Sequence, residues 1–155
     1  MGKNTPVISV MAGLLLLLST VYSYGSGGNK GSEGSFNPDL DFAQIEYVKA
    51  TEASSGSWRF DVTVRHNDEG WDHYADAWQV VDPQNGKVLG ERILAHPHET
   101  EQPFTRSQSG ITIPNGLSRV LVRAKCNVHG FGGREVLVDL SQSEGDGYQV
   151  EARGN

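Results

Sequence analysis

The chain has 155 residues, with 13 lysines and arginines against 19 aspartates and glutamates, which gives a formal net charge of −6. This sign argues against a nucleic-acid partner, because proteins that bind phosphate backbones present basic surfaces. The length suits one domain with its own hydrophobic core. No nucleophile elbow, phosphate loop or paired-carboxylate motif is found, so the sequence offers no support for hydrolase chemistry.

The first 25 residues have the pattern of a secretory signal peptide. Lys3 is followed by an uncharged stretch over residues 7–21 with leucines at its centre. This stretch is shorter than the roughly 20 apolar residues of a transmembrane helix. We therefore predict cleavage near residue 24 or 26, no membrane span after cleavage, and a periplasmic or extracellular location.

The rest of the chain divides by composition. Residues 26–41 are rich in glycine, serine and acids, which predicts a flexible linker. Residues 42–141 carry the apolar positions and form the predicted domain. Residues 142–155 are polar and are predicted to be a frayed tail.

Short apolar–polar alternations separated by turn signals predict an all-β domain. In the first strand, Ala43, Ile45 and Tyr47 are expected on one face, and the strand from Trp58 to Arg65 alternates most clearly. Seven strands of this spacing predict an immunoglobulin- or fibronectin-like β-sandwich. Their predicted ranges are 42–49, 58–65, 74–81, 88–95, 104–113, 120–126 and 134–140.

All five histidines and the single cysteine fall in connections that such a sandwich places at one end. Successive strands run in opposite directions, so the second-to-third, fourth-to-fifth and sixth-to-seventh connections share a pole. By side-chain alternation, Cys126 is expected to point inward, and His66 is expected to face the interior or the rim. The candidate metal ligands at this pole are His66, His73, His96, His98, Cys126 and His129.

Imidazole and thiolate together favour a transition metal, here iron, copper or zinc, over calcium or magnesium. Two alternatives stay open, because Cys126 is also typical of a small buried hydrophobe and histidines also collect in solvated loops. The acids of this pole are candidates for orienting ligating imidazoles or for a solvated rim. They are Asp68, Glu69, Asp72, Asp76, Glu99 and Glu101.

The run Cys126-Asn127-Val128-His129-Gly130 resembles the Cys-Asn-x-His-Gly motif of the superoxide reductases, the desulfoferrodoxin and neelaredoxin family. The segment from His66 to Tyr74, ahead of the strand with Trp78, is similar to that family's His-Pro…Glu-His-Tyr segment. The resemblance implies an immunoglobulin-like sandwich, a mononuclear iron and one-electron reduction of superoxide. It implies that Cys126 is the axial thiolate and that His66, His73 and His129 are imidazole ligands.

The chain also departs from this family pattern. The spacing from His66 to His73 is one residue longer, and no proline follows His66. The family's first histidine has no counterpart in residues 26–65, so His96 or His98 would have to replace it.

A different reading is a module that binds a ligand or a protein without metal chemistry. Trp71, Tyr74 and Phe131 fall at the same pole, and aromatic faces beside acids recognise sugars or protein partners. Trp71 and Phe131 could instead plug the end of the core, and a purely structural domain is also compatible with the sequence. Whether the protein is an enzyme therefore stays open.

Overall fold

A computed structural model of the chain describes residue 2 and residues 41–153. Apart from residue 2, the predicted signal peptide lies outside the described residues, as does the predicted linker apart from residue 41. Within the part of the chain that the structure describes, no helix has the length and hydropathy that a membrane span requires.

The described residues form ten strands in two sheets, so the all-β prediction is confirmed, while the predicted count of seven strands differs from the structure. The bounds are β1 Gln44–Ser54, β2 Ser57–Arg65, β3 Ala75–Val81, β4 Val88–Ile93, β5 Phe104–Thr112, β6 Arg119–Cys126, β7 Gly130–Phe131, β8 Val136–Asp139, β9 Glu144–Gly145 and β10 Tyr148–Glu151. A strand lies at each of the seven predicted positions, and the three additional strands, β7, β9 and β10, are short. The first sheet has the order β5-β2-β1-β10-β9, and the second has the order β4-β3-β6-β7 with β8 also paired to β6.

The two sheets share one core, which is the arrangement of a β-sandwich. Alternate residues of β2, among them Phe60 and Val62, are buried against residues of the opposite sheet such as Trp78 and Val122. Full burial of a large apolar side chain contributes about 1.5–3 kcal/mol, so this shared core is the main source of stability.

The structure differs from the prediction in which side chains of the first strand face the core. Tyr47 was expected beside Ile45 in the core, but its side chain is 41% exposed, whereas Ile45 and Val48 are fully buried. The pairing of β1 with β2 shifts register between Ile45 and Tyr47, as in a β-bulge. The extra residue at the bulge reverses the alternation of inward and outward side chains for the rest of the strand.

The end of the chain corrects another prediction. Residues 142–155 were expected to be a frayed polar tail, but β9 and β10 form there. The strand β10 pairs in parallel with β1, and its Tyr148 and Val150 are buried in the shared core. Two apolar residues at alternate positions were therefore enough to add a strand to the sheet.

Candidate metal centre

The end of β2, the segment before β3 and the end of β6 meet at one pole of the sandwich. His66 follows β2 directly and continues its inward alternation, so its side chain is fully buried. Cys126 is the last residue of β6, lies opposite Ala75 of β3 and is also buried. His73 lies two residues before β3, and its side chain is 16% exposed.

His66, His73 and Cys126 form one compact group. Each offers one ligand atom, and these atoms all lie within 4.8 Å of one another. Two ligands bound to one ion at about 2.0–2.3 Å in tetrahedral geometry are about 3.3–3.8 Å apart. The ligand atoms of the three side chains would therefore have to approach one another by up to about 1.5 Å to hold a single ion.

Both histidines of this group present a nitrogen that the protein leaves without a partner. The Nε2 atoms of His66 and His73 are buried and have no hydrogen-bond partner among the described residues. On the opposite side of each ring, Nδ1 faces a carboxylate: His66 contacts Asp68 at 2.6 Å and His73 contacts Glu69 at 3.5 Å. A carboxylate on one ring nitrogen orients the other nitrogen toward a metal, an arrangement common in metalloproteins.

His129 lies at the exposed edge of the group, in the turn after β6. Its backbone N–H donates to the sulfur of Cys126 at 3.1 Å, and its Nδ1 lies 3.5 Å from the same sulfur. The Nδ1 atom also lies 2.8 Å from the carbonyl oxygen of Asp41, which can only accept a hydrogen bond. Nδ1 therefore carries the proton, which leaves Nε2 as the nitrogen of His129 able to bind an ion. The ring of His73 is 5.0 Å away, but His129 is not among the residues whose ligand atoms lie within 4.8 Å of one another.

The structure does not bring His96 and His98 into this group. The ring of His98 is buried, stacks on Phe104 at 3.8 Å, and has neither ring nitrogen hydrogen-bonded among the described residues. Burial, with smaller contributions from Arg106 and His96, lowers the pKa of His98. His96 is exposed, and its Nδ1 lies 2.9 Å from the carbonyl oxygen of Pro97.

Asn127 is a residue of the site to which the sequence analysis gave no role. Its side-chain oxygen accepts a hydrogen bond from the N–H of Tyr74, and its side-chain nitrogen donates to the carbonyl oxygens of Trp71 and Asp72. These bonds fasten the segment that carries His73 to the end of β6. The sequence signal for this role was the place of Asn127 in the Cys-Asn-x-His-Gly run, next to the cysteine.

The aromatic residues of the pole differ in exposure. Trp71 is 66% exposed and contacts Tyr74 edge to face, so it does not plug the core. Phe131 is half-buried, and the guanidinium of Arg123 lies 4.1 Å from the centre of its ring.

Comparison with known proteins gives one relative and two weak structural likenesses. No protein-family model matches the chain. A protein of Halomicrobium mukohataei named "Putative lipoprotein" is 39% identical over 123 residues, which cover 78% of this chain. The chain spans only 59% of the length of that relative.

Both structural likenesses are to superoxide reductases. The enzyme from Giardia intestinalis is 16% identical with a TM-score of 0.37, covering 63% of this chain and 99% of that one. The neelaredoxin from Archaeoglobus fulgidus is 16% identical with a TM-score of 0.39, covering 66% of this chain and 91% of that one. Both likenesses are weak, because the sequence identity and the TM-score are low in each case.

Proposed function

We propose that this protein binds one transition-metal ion through His66, His73 and Cys126, with His129 as the fourth ligand. The observation that carries the proposal is a compact group of a buried thiol and two histidines, each of which has a buried Nε2 atom without a partner. A buried polar atom without a partner costs about 1–3 kcal/mol, and native proteins rarely tolerate several close together. Coordination to a metal removes that cost for both histidines at once.

The donor set fits the proposed group of metals. Two or three imidazoles with one thiolate suit iron, copper or zinc, whereas magnesium and calcium require oxygen ligands. Asp68 holds the ring of His66, Glu69 lies 3.5 Å from the ring of His73, and the end of β6 holds the sulfur. The buried side of the site excludes water, while the exposed position of His129 leaves one side accessible.

For the reaction, we propose superoxide as the substrate to test first. The support is the sequence resemblance of residues 126–130 to the superoxide reductase motif, together with an imidazole and a thiol that the fold holds side by side. When bound, an iron ion at this site supplies the single electron that, with two protons, converts superoxide to hydrogen peroxide. Each turnover then consumes one electron from an external one-electron donor.

The metal proposal is tested by elemental analysis and by Co²⁺ titration of protein purified without an affinity tag. We expect about one ion per chain and a sulfur-to-cobalt absorption band. Substoichiometric iron, copper and zinc that reconstitution does not raise, together with no cobalt spectrum, would contradict the proposal.

For the substrate, iron-loaded protein supplied with reductant should remove superoxide without releasing oxygen. Superoxide decay at the uncatalysed rate would contradict this reaction and would leave a metal carrier or sensor as the function.

We further propose that the protein is exported and that its sandwich is of the immunoglobulin or fibronectin type. The signal-like pattern of residues 1–25 supports export, as does the name of the relative. The interleaved division of the strands supports the fold type, since β1, β2 and β5 share one sheet and β3, β4, β6 and β8 share the other. Cell fractionation with N-terminal sequencing of the mature chain tests export, and cytoplasmic protein beginning at Met1 would contradict it.

A second candidate function is recognition of a protein or a sugar at the same pole. The observation that favours it is the exposure of Trp71, beside Tyr74. Metal-free protein that retains binding to such a ligand, and loses it in Trp71→Ala, would support this function. The retention of binding by Trp71→Ala would argue against it.

A further inference from the structure

One buried carboxylate connects three segments of the metal-site pole. The side chain of Asp68 is inaccessible to solvent. Its Oδ1 lies 2.6 Å from Nδ1 of His66 and accepts a hydrogen bond from the N–H of Ala75 at 3.0 Å. Its Oδ2 accepts a hydrogen bond from the N–H of His98 at 2.6 Å. Asp68 therefore joins the end of β2, the start of β3 and the connection between β4 and β5.

These contacts determine which nitrogen of the His66 ring carries the proton. Each oxygen of Asp68 already accepts a backbone N–H, Oδ1 from Ala75 and Oδ2 from His98, which is the bonding pattern of an ionised carboxylate. An ionised carboxylate can only accept hydrogen bonds, so Nδ1 of His66 must be the donor. The lone pair of His66 is then on Nε2, the buried nitrogen that lacks a partner.

We infer that Asp68 is the positioning residue of the metal centre, because it selects the tautomer of His66. Through Asp68, the β4–β5 connection acts on the site without supplying a ligand. This inference rests on the proposed metal-binding function. His98 contributes its backbone N–H, while its ring is anchored against Phe104. Carboxylates that orient ligating histidines typically change metal affinity by about 10–100-fold when they are removed.

Asp68→Asn is the sharpest variant because it keeps the shape of the side chain. An amide has a single acceptor oxygen, whereas Asp68 accepts on both oxygens. If the amide nitrogen faced His66, it would also oppose the N–H of Ala75, and the ring would need to accept at Nδ1 and carry its proton on Nε2. If it faced His98, two donors would oppose each other and the β4–β5 connection would loosen.

The test combines Co²⁺ titration with ¹⁵N NMR of the histidine side chains in metal-free protein. Wild-type His66 should be protonated on Nδ1. Asp68→Asn should weaken Co²⁺ binding about 10–100-fold, either because the amide nitrogen faces His66 and moves the ring proton to Nε2, or because it faces His98 and loosens the β4–β5 connection. Asp61→Asn is the matched control, since Asp61 is a β2 carboxylate that pairs with Arg59 and Ser107. This control should keep the wild-type tautomer and affinity.

The possible failures are distinguishable. Wild-type protein that binds no Co²⁺ overturns the metal proposal and this inference together. Wild-type binding with unchanged affinity and tautomer in Asp68→Asn overturns only the role of Asp68. Should Asp68→Asn not fold, the wild-type spectrum still decides, because an unprotonated Nδ1 in His66 contradicts the inference without any variant.

Discussion

The backbone N–H of His129 donates a hydrogen bond to the sulfur of Cys126 across 3.1 Å, within the turn that ends β6. The same sulfur belongs to the compact group with His66 and His73. The turn therefore orients the sulfur and brings a third imidazole to within 3.5 Å of it. A five-residue segment thus contributes two side chains to a site whose other ligands are more than 50 positions earlier in the chain.

Cys126→Ser tests the sulfur as a ligand. The hydroxyl can still accept the N–H of His129, so we expect the fold to persist with an unchanged far-ultraviolet circular dichroism spectrum. The sulfur-to-cobalt absorption band should disappear, and Co²⁺ affinity should fall by more than the roughly 10–100-fold that is typical of lost orienting partners. A cobalt spectrum identical to that of the wild type would show that the sulfur is not a ligand.

His73→Ala and His96→Ala test which histidines belong to the site. Because His73 lies in the compact group, its removal should weaken Co²⁺ binding more than about tenfold. His96 is exposed and outside that group, so His96→Ala should bind Co²⁺ like the wild type. Calorimetric titration of both variants checks this, and equal losses in the two would contradict the ligand set.

Ile45→Ala and Tyr47→Ala test the bulge in β1. Ile45 is fully buried, so its truncation should lower the free energy of unfolding by about 2–5 kcal/mol. Tyr47 is exposed, and its truncation should change that free energy by no more than about 0.5 kcal/mol. Urea unfolding of both variants provides the measurement. Comparable losses would mean that the alternation continues through the bulge.

Asp61→Asn tests a pH dependence on the outer face of β2. The hydrogen bond from Arg59 lowers the pKa of Asp61, against an opposing effect of burial, and Ser107 adds to the lowering. A carboxylate with a lowered folded-state pKa stabilises the fold above its unfolded pKa of about 3.9, and that contribution is lost as the pH falls through the folded value. Wild-type protein should therefore lose more stability than Asp61→Asn between about pH 5 and pH 2 in urea unfolding. Parallel stability curves would show that this ion pair does not contribute.

Much of the fold could be predicted because strand formation and side-chain direction depend on neighbours in sequence. The alternation in β2 placed Phe60 and Val62 in the core, and the same period carried His66 into the interior. The exceptions arise where pairing with a distant strand intervenes. The bulge that exposes Tyr47 depends on the register with β2, and β10 exists because β1 offers it an unpaired edge.

The sequence by itself determined the all-β class, the positions of seven strands, the inward direction of Cys126 and the pole at which the candidate ligands lie, because each follows from a period of two and from strand order. Only the tertiary structure decided which of those residues meet. It grouped His66, His73 and Cys126, placed His129 at their edge and left His96 outside. It also turned Asp68 from one of six nearby acids into the carboxylate that His66 contacts. Distances between loops depend on how two sheets pack, and no local pattern encodes that.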